Sequence, residues 1–154
     1  MRRITIAVLV LIVAIALIVG LRPSTPARTA DDFAHKAKDT AESVLSSVET
    51  ARLAAQVGTR GDAFGPYVSV LLSESETAAG RAQTSFESIQ PPDRRSDATR
   101  ARLTRLLNRS VDVLARLRIS ARRGELGRLA TQAQPLGRLA DQLGKFVDDP
   151  GPAA

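Results

Sequence analysis

The chain has no cysteine and no tryptophan, and it carries one histidine and one tyrosine; aromatic residues make up 3% of it. Without cysteine there is no disulfide, and no thiol to take a lipid anchor after an apolar run. The scarcity of aromatics argues against a β-sheet protein, since strands lean on aromatic and β-branched side chains. Past its N-terminal stretch the chain is instead rich in Ala, Leu, Arg, Glu and Gln, which favour helix. The single histidine, His35, stands beside Lys36 and close to Asp31 and Asp32, so it reads as a solvated residue in a first helical turn. A Ser-His-acid site would have to use His35, but no G-x-S-x-G elbow is present. The Glu-x-x-His pattern of di-iron bundles is missing, and haem or zinc lacks ligands. Glu74 and Glu76 point to different faces of a helix and do not converge. No glycine-rich phosphate loop occurs. The expectation is a protein with no catalysis, no cofactor and no metal.

What the sequence does have is one long apolar run. Residues 4–21, ITIAVLVLIVAIALIVGL, contain no charge over 18 positions. As a helix they extend roughly 27 Å, against a hydrocarbon core of about 30 Å. Arg2 and Arg3 precede the run, and Arg22-Pro23 follows it. Residues 1–21 thus read as an N-terminal transmembrane anchor, the alternative being a long signal peptide that is cleaved, with the domain then secreted. The run exceeds the usual apolar region of a signal peptide, and Thr25-Pro26-Ala27 is a poor cleavage site, which favours retention. The basic start places the N-terminus inside and the rest of the chain outside the cell membrane, although Arg22 and Arg28 nearly offset that bias. Residues 22–30 form a short polar linker whose Pro23 and Pro26 stop the apolar helix from running on.

Charge is unevenly spread. Residues 1–30 carry four arginines and no acid, +4; residues 31–90 carry nine acids against five bases, −4. Residues 93–123 carry ten arginines against three acids, +7, and residues 124–154 carry four acids against three bases, −1. The basic segment is the strongest compositional pointer to a partner.

Residues 31–147 read as four amphipathic helices. In the first, residues 31–57, Ala34, Ala37, Ala41, Val44, Val48, Ala51 and Ala55 recur at alternating spacings of three and four, a heptad seam of small residues. Leu45 and Leu53 are expected to widen it, and Gly58 to stop the helix as its C′ residue. Arg60-Gly61-Asp62 spells a tripeptide known from adhesion ligands, but a glycine turn is the plainer reading. The second helix starts at Asp62 or at Gly65-Pro66 and carries Val68, Leu72, Ser75, Ala79, Ala82, Phe86 and Ile89 on one face.

Pro91 and Pro92 break the chain, and Asp93 can cap a third helix over residues 93–123. Leu103, Leu107, Ser110, Leu114, Leu117 and Ala121 form its apolar face. Opposite them fall Arg102, Arg105, Arg109, Arg116 and Arg123, with Asp112 among them. These five arginines are the candidate anion- or partner-binding residues. Their plain alternative is a solvated face whose long stems cover apolar surface. Arg122-Arg123-Gly124-Glu125 reads as a tight reversal. The fourth helix, about 125–147, carries Leu126, Leu129, Ala133, Leu136, Ala140, Leu143 and Val147, with a break expected near Gln134-Pro135. Residues 148–154 read as a disordered tail.

The expected fold is therefore all-α: an N-terminal transmembrane helix followed by an antiparallel up-down-up-down four-helix bundle. At Ser88-Ile89-Gln90-Pro91-Pro92-Asp93, followed by an Arg/Leu-rich helix, the chain resembles small single-pass membrane-anchored helical proteins of high-GC Gram-positive bacteria. That resemblance implies a tethered helical domain outside the cell membrane and carries over no site residue. The expected function is an interaction module that binds a protein partner or an anionic envelope polymer through the third helix. The alternative is a ligand-sensing bundle that acts through a separate membrane partner. Nucleic acid is not expected, because no aromatics interleave the arginines. Protease added to intact cells should digest residues 31–147; protection until lysis overturns the orientation.

Overall fold

The computed structural model describes residues 29–150. Within them the chain is helical, in the order α1 (Ala30–Arg60), α2 (Gly65–Glu87), α3 (Arg94–Arg122), a 3-10 turn (Leu126–Arg128), α4 (Leu129–Gln132) and α5 (Gln134–Asp148). None of the described helices is long and apolar enough to cross a membrane, and the apolar run at residues 4–21 lies outside the described residues, as do residues 151–154.

Each long helix begins and ends for a local reason. Thr29 opens α1, its hydroxyl accepting from the Asp32 N–H at 3.1 Å, and Asp31 and Asp32 sit where the helix dipole favours acids. The helix runs past Gly58, the expected stop, and ends at Gly61 with φ 76°. There the Gly61 N–H bonds the Gly58 carbonyl and the Asp62 N–H the Val57 carbonyl, a Schellman closure that needs the left-handed conformation glycine provides. Arg60-Gly61-Asp62 is thus accounted for by the way α1 stops. Gly58 has a different task. A Cβ there would lie 3.0 Å from Val68 Cγ1 and 3.4 Å from Leu129 Cδ1, so its missing side chain lets α2 and α4 come close.

Pro66 stands in the first turn of α2, where its lacking N–H costs nothing. Asp93 caps α3, accepting from the Ser96 N–H at 2.7 Å. That bond, with a further one from the Ser96 hydroxyl, holds the Asp93 carboxyl below the usual carboxylate range. The Gly124 turn repeats the α1 closure at the end of α3, with φ 74° and the Glu125 N–H on the Ser120 carbonyl at 3.0 Å.

The helices alternate in direction. Phe33 of α1 meets Phe86 of α2, ring centroids 5.6 Å apart, while Gly58 faces Val68 at the other end. Glu76 of α2 pairs with Arg118 of α3, and Gln83 donates to Asn108 at 2.6 Å. Thr59 of α1 binds Ala130 of α4, and Arg102 of α3 reaches Asp149. The bundle is therefore up-down-up-down and antiparallel, with α1 packed on α2, α3 and α5. Its core is apolar, filled by Leu72, Leu103, Leu107, Leu114, Leu117, Leu136, Leu143 and Phe146 on the alanine seam of α1. The buried Ser75 and Ser110 return their hydroxyls to carbonyls one turn back, at 2.8 and 2.9 Å, which removes the cost of burying them.

Most of the expected seam residues are buried; on α1, however, Ala34 is half-buried, Phe33 joins the core and Leu53 is 57% exposed. Leu53 thus lies outside the buried stripe, and Ala54 takes the inward position beside it. The fourth helix is three pieces rather than one. The run is interrupted at Ala133, which keeps right-handed helical dihedrals but stands as a turn residue just before Pro135 opens α5, in keeping with the missing proline N–H. The short α4 is held by Thr59, whose hydroxyl oxygen accepts the Ala130 N–H at 2.9 Å and lies 2.9 Å from the Ala55 carbonyl and 3.0 Å from that of Leu126.

Thr59→Val should therefore lower stability by about 1–3 kcal/mol, the cost of stranding polar groups in a part-buried site, while Thr59→Ser should not; urea unfolding of both variants checks this. Because the Asp93 carboxyl is lowered in the folded state, its stabilising contribution is present above its unfolded pKa and lost as pH falls through its folded one. Acid unfolding of Asp93→Ala should accordingly lack that part of the wild-type pH dependence.

Candidate anion-binding groove

The arginines of α3 fall into distinct environments. Arg100 turns back to α2 and donates to the Ile89 and Glu87 carbonyls at 2.9 and 2.7 Å. It thereby satisfies acceptors that the end of α2 leaves open. Arg118 forms a two-pronged pair with Glu76, with a second contact from Nη2 to Oε1 at 3.3 Å. Both side chains are about three-quarters buried, and the Glu76 hydrogen bond raises the Arg118 pKa further above its ordinary value, against the opposing effect of burial. Arg102 lays its guanidinium 5.1 Å from the centre of the Phe146 ring and donates to the Asp149 carbonyl at 3.0 Å, a cation–π contact that clasps the end of α5. Three of the ten arginines in the basic segment are thus spent on the fold.

Of the five arginines expected to bind a partner, Arg109 and Arg116 come together in one place. α3 and α5 meet over the smallest contact of any neighbouring long helices, and between them lies an open groove of about 280 Å³. One wall is Arg109, Asp112, Val113 and Arg116 of α3; the other is Pro135, Arg138, Leu139 and Gln142 of α5. Each wall repeats at intervals of three, four and seven residues, one face of a helix. Val113 and Leu139, each 5% exposed, make the floor, and the charged and amide groups stand on the rim. Arg105 and Arg123 are exposed but lie off the groove, and Arg102 is held at Phe146.

Arg138 was not among the residues expected from the sequence. It belongs to the helix of weakest propensity, and a lone arginine there stands out only once α5 is known to face the 109–116 stretch. Its spacing from Gln142 and Pro135 was the available signal.

Arg109, Arg116 and Arg138 carry three positive charges around one cavity, with Asp112 the only acid in its walls. Among the described residues none of the three makes an ion pair; the pairs present are Arg52–Glu49, Arg118–Glu76 and Arg128–Glu125. Like charges crowded around a low-dielectric wall raise the local concentration of anions. The positive end of the α5 dipole adds to the same field, since α5 begins at Gln134 with no side-chain cap. Among the described residues no cluster of His, Cys, Asp and Glu could hold a metal ion.

A second exposed feature is the far tip of the α1–α2 turn, where Phe64 is 78% and Tyr67 59% exposed, followed by Val70 on the same side of α2. Comparison of the chain with protein-family models, with curated proteins and with solved structures finds no match in any of them.

Proposed function

We propose that the protein is a non-catalytic helical interaction module, tethered through residues 4–21, that holds an anionic partner outside the cell membrane. The observation that carries this reading is the convergence of Arg109, Arg116 and Arg138 on one groove without a carboxylate partner. An arginine placed for the fold is consumed by it, as Arg100, Arg102 and Arg118 are. These three leave their donors to the groove, and guanidinium forks suit carboxylate and phosphate oxygens. A solid apolar core beneath the groove supports a surface that docks a partner in preference to an interior that senses a ligand.

The test uses the full chain in zwitterionic detergent and an immobilised polyphosphate. Arg109→Ser/Arg116→Ser/Arg138→Ser should lose about tenfold or more in affinity, since each charge-assisted hydrogen bond contributes about 1.5–3 kcal/mol. Arg105→Ser/Arg123→Ser, which removes two exposed charges outside the groove, should weaken binding far less at moderate salt. Equal losses in the two variants would reduce the groove to general positive charge and overturn the proposal.

A further inference from the structure

We infer that the α3–α5 groove is shaped for a phosphorylated polyol or sugar: one phosphate beside free hydroxyls, on a compact body. This deepens the anion-binding reading and rests on it. Asp112 is the informative residue. It lies three residues after Arg109 and four before Arg116, within helical reach of both, yet it pairs with neither. For a bare anion such a carboxylate is a defect, because it repels the ligand that the arginines attract. For a ligand that also carries hydroxyls it is an acceptor at the right place, since an ionised carboxylate can only accept. Gln142 on the facing wall offers both donor and acceptor.

The floor completes the match. Val113, Leu139 and Pro135 present apolar surface to which the C–H face of a sugar or cyclitol can pack, which a free phosphate cannot use. The cavity of about 280 Å³ is at the lower edge of small-molecule sites, commonly about 300–1,000 Å³, and suits one phosphorylated ring or short polyol. A carboxylate beside the arginines also selects against ligands of dense charge, such as polyphosphate chains, relative to one phosphate among hydroxyls. The same chemistry is found on a soluble sugar phosphate, on an envelope polymer with polyol phosphate repeats and on a lipid headgroup.

Calorimetry on the full chain in zwitterionic detergent, with myo-inositol 1-phosphate, glycerol 1-phosphate and inorganic phosphate as probes, separates these possibilities. The polyol phosphates should bind about tenfold or more tightly than inorganic phosphate, the effect of one hydrogen bond to a charged group. Asp112→Asn should bring the ratio towards one, by weakening the polyol phosphates while strengthening inorganic phosphate. Asp112 is exposed, so the variant keeps the fold, and its thermal melt verifies that.

Equal binding of all three probes, or an unchanged ratio in Asp112→Asn, overturns the polyol inference while leaving the anion-binding groove intact. Binding of none of them by a chain that still retains polyphosphate through the groove arginines also overturns it. No groove-dependent binding of any anion overturns both readings. Phosphatidylinositol added to the micelles identifies the source: competition with inositol 1-phosphate supports the site and points to a lipid headgroup, and lack of competition with the free probes still bound supports the site and points to a soluble or polymeric ligand.

Discussion

The other helices lie against the small-residue side of α1. Ala37, Ala41, Ala51 and Ala55 have no exposed surface, and Gly58 gives its missing side chain to Val68 and Leu129. Small residues let helix axes approach closely, and close approach maximises dispersion contacts along the line. The cost is that little side-chain volume comes from α1 itself. Apart from Phe33 at its start, the bulk comes from leucines of α2, α3 and α5, with Phe86 and Phe146. One helix acts as a smooth post, and the others bring the filling. α3 reaches the post across the bundle, which is why α3 and α5 need not close fully on each other and a groove remains between them.

The arginines follow from the same geometry. A helix flank next to a snug neighbour draws its arginines into the structure, where they find a carboxylate, a ring or an uncapped carbonyl. Arg118, Arg102 and Arg100 illustrate these three fates. Where the α3–α5 seam opens beside Val113 and Leu139, Arg109 and Arg116 meet no such partner. Charge alone does not separate Arg109 and Arg116 from those three, since all five come from the same ten-arginine segment; the partner each one meets does.

The helical class, the order of the helices, the Asp93 cap, the Gly124 reversal and the break near Pro135 were legible in the sequence because each rests on local chemistry. Gly58 was misread for the opposite reason. A glycine after a periodic run looks like a stop, and Gly61, three residues on, carries the same signal; what distinguishes them is Val68, a residue ten positions further. Leu53 was misplaced because heptad counting cannot tell how far a partner helix wraps around a stripe. Arg109 and Arg116 could be placed on one face by counting alone. Their difference from Arg102, seven residues before Arg109 on the same line, depends on Phe146 in α5 and Asp149 just beyond its end. Arg138 lay beyond reach because its significance is wholly tertiary.

The polypeptide preceding Thr29 joins the bundle at one end. The centre of the groove, near Asp112 and Val113, lies roughly 28 Å along α3 from Arg94, at 1.5 Å per residue. The groove therefore sits about two-thirds of the way along α3, on the side of the bundle rather than at its base. Posture then becomes a selector. On the proposed tether, a bundle standing upright on its N-terminal end lifts the groove clear of the membrane surface, accessible to a polymer strand or a small solute but beyond the headgroups. The same bundle lying along that surface with the α3–α5 side down brings the arginines onto it.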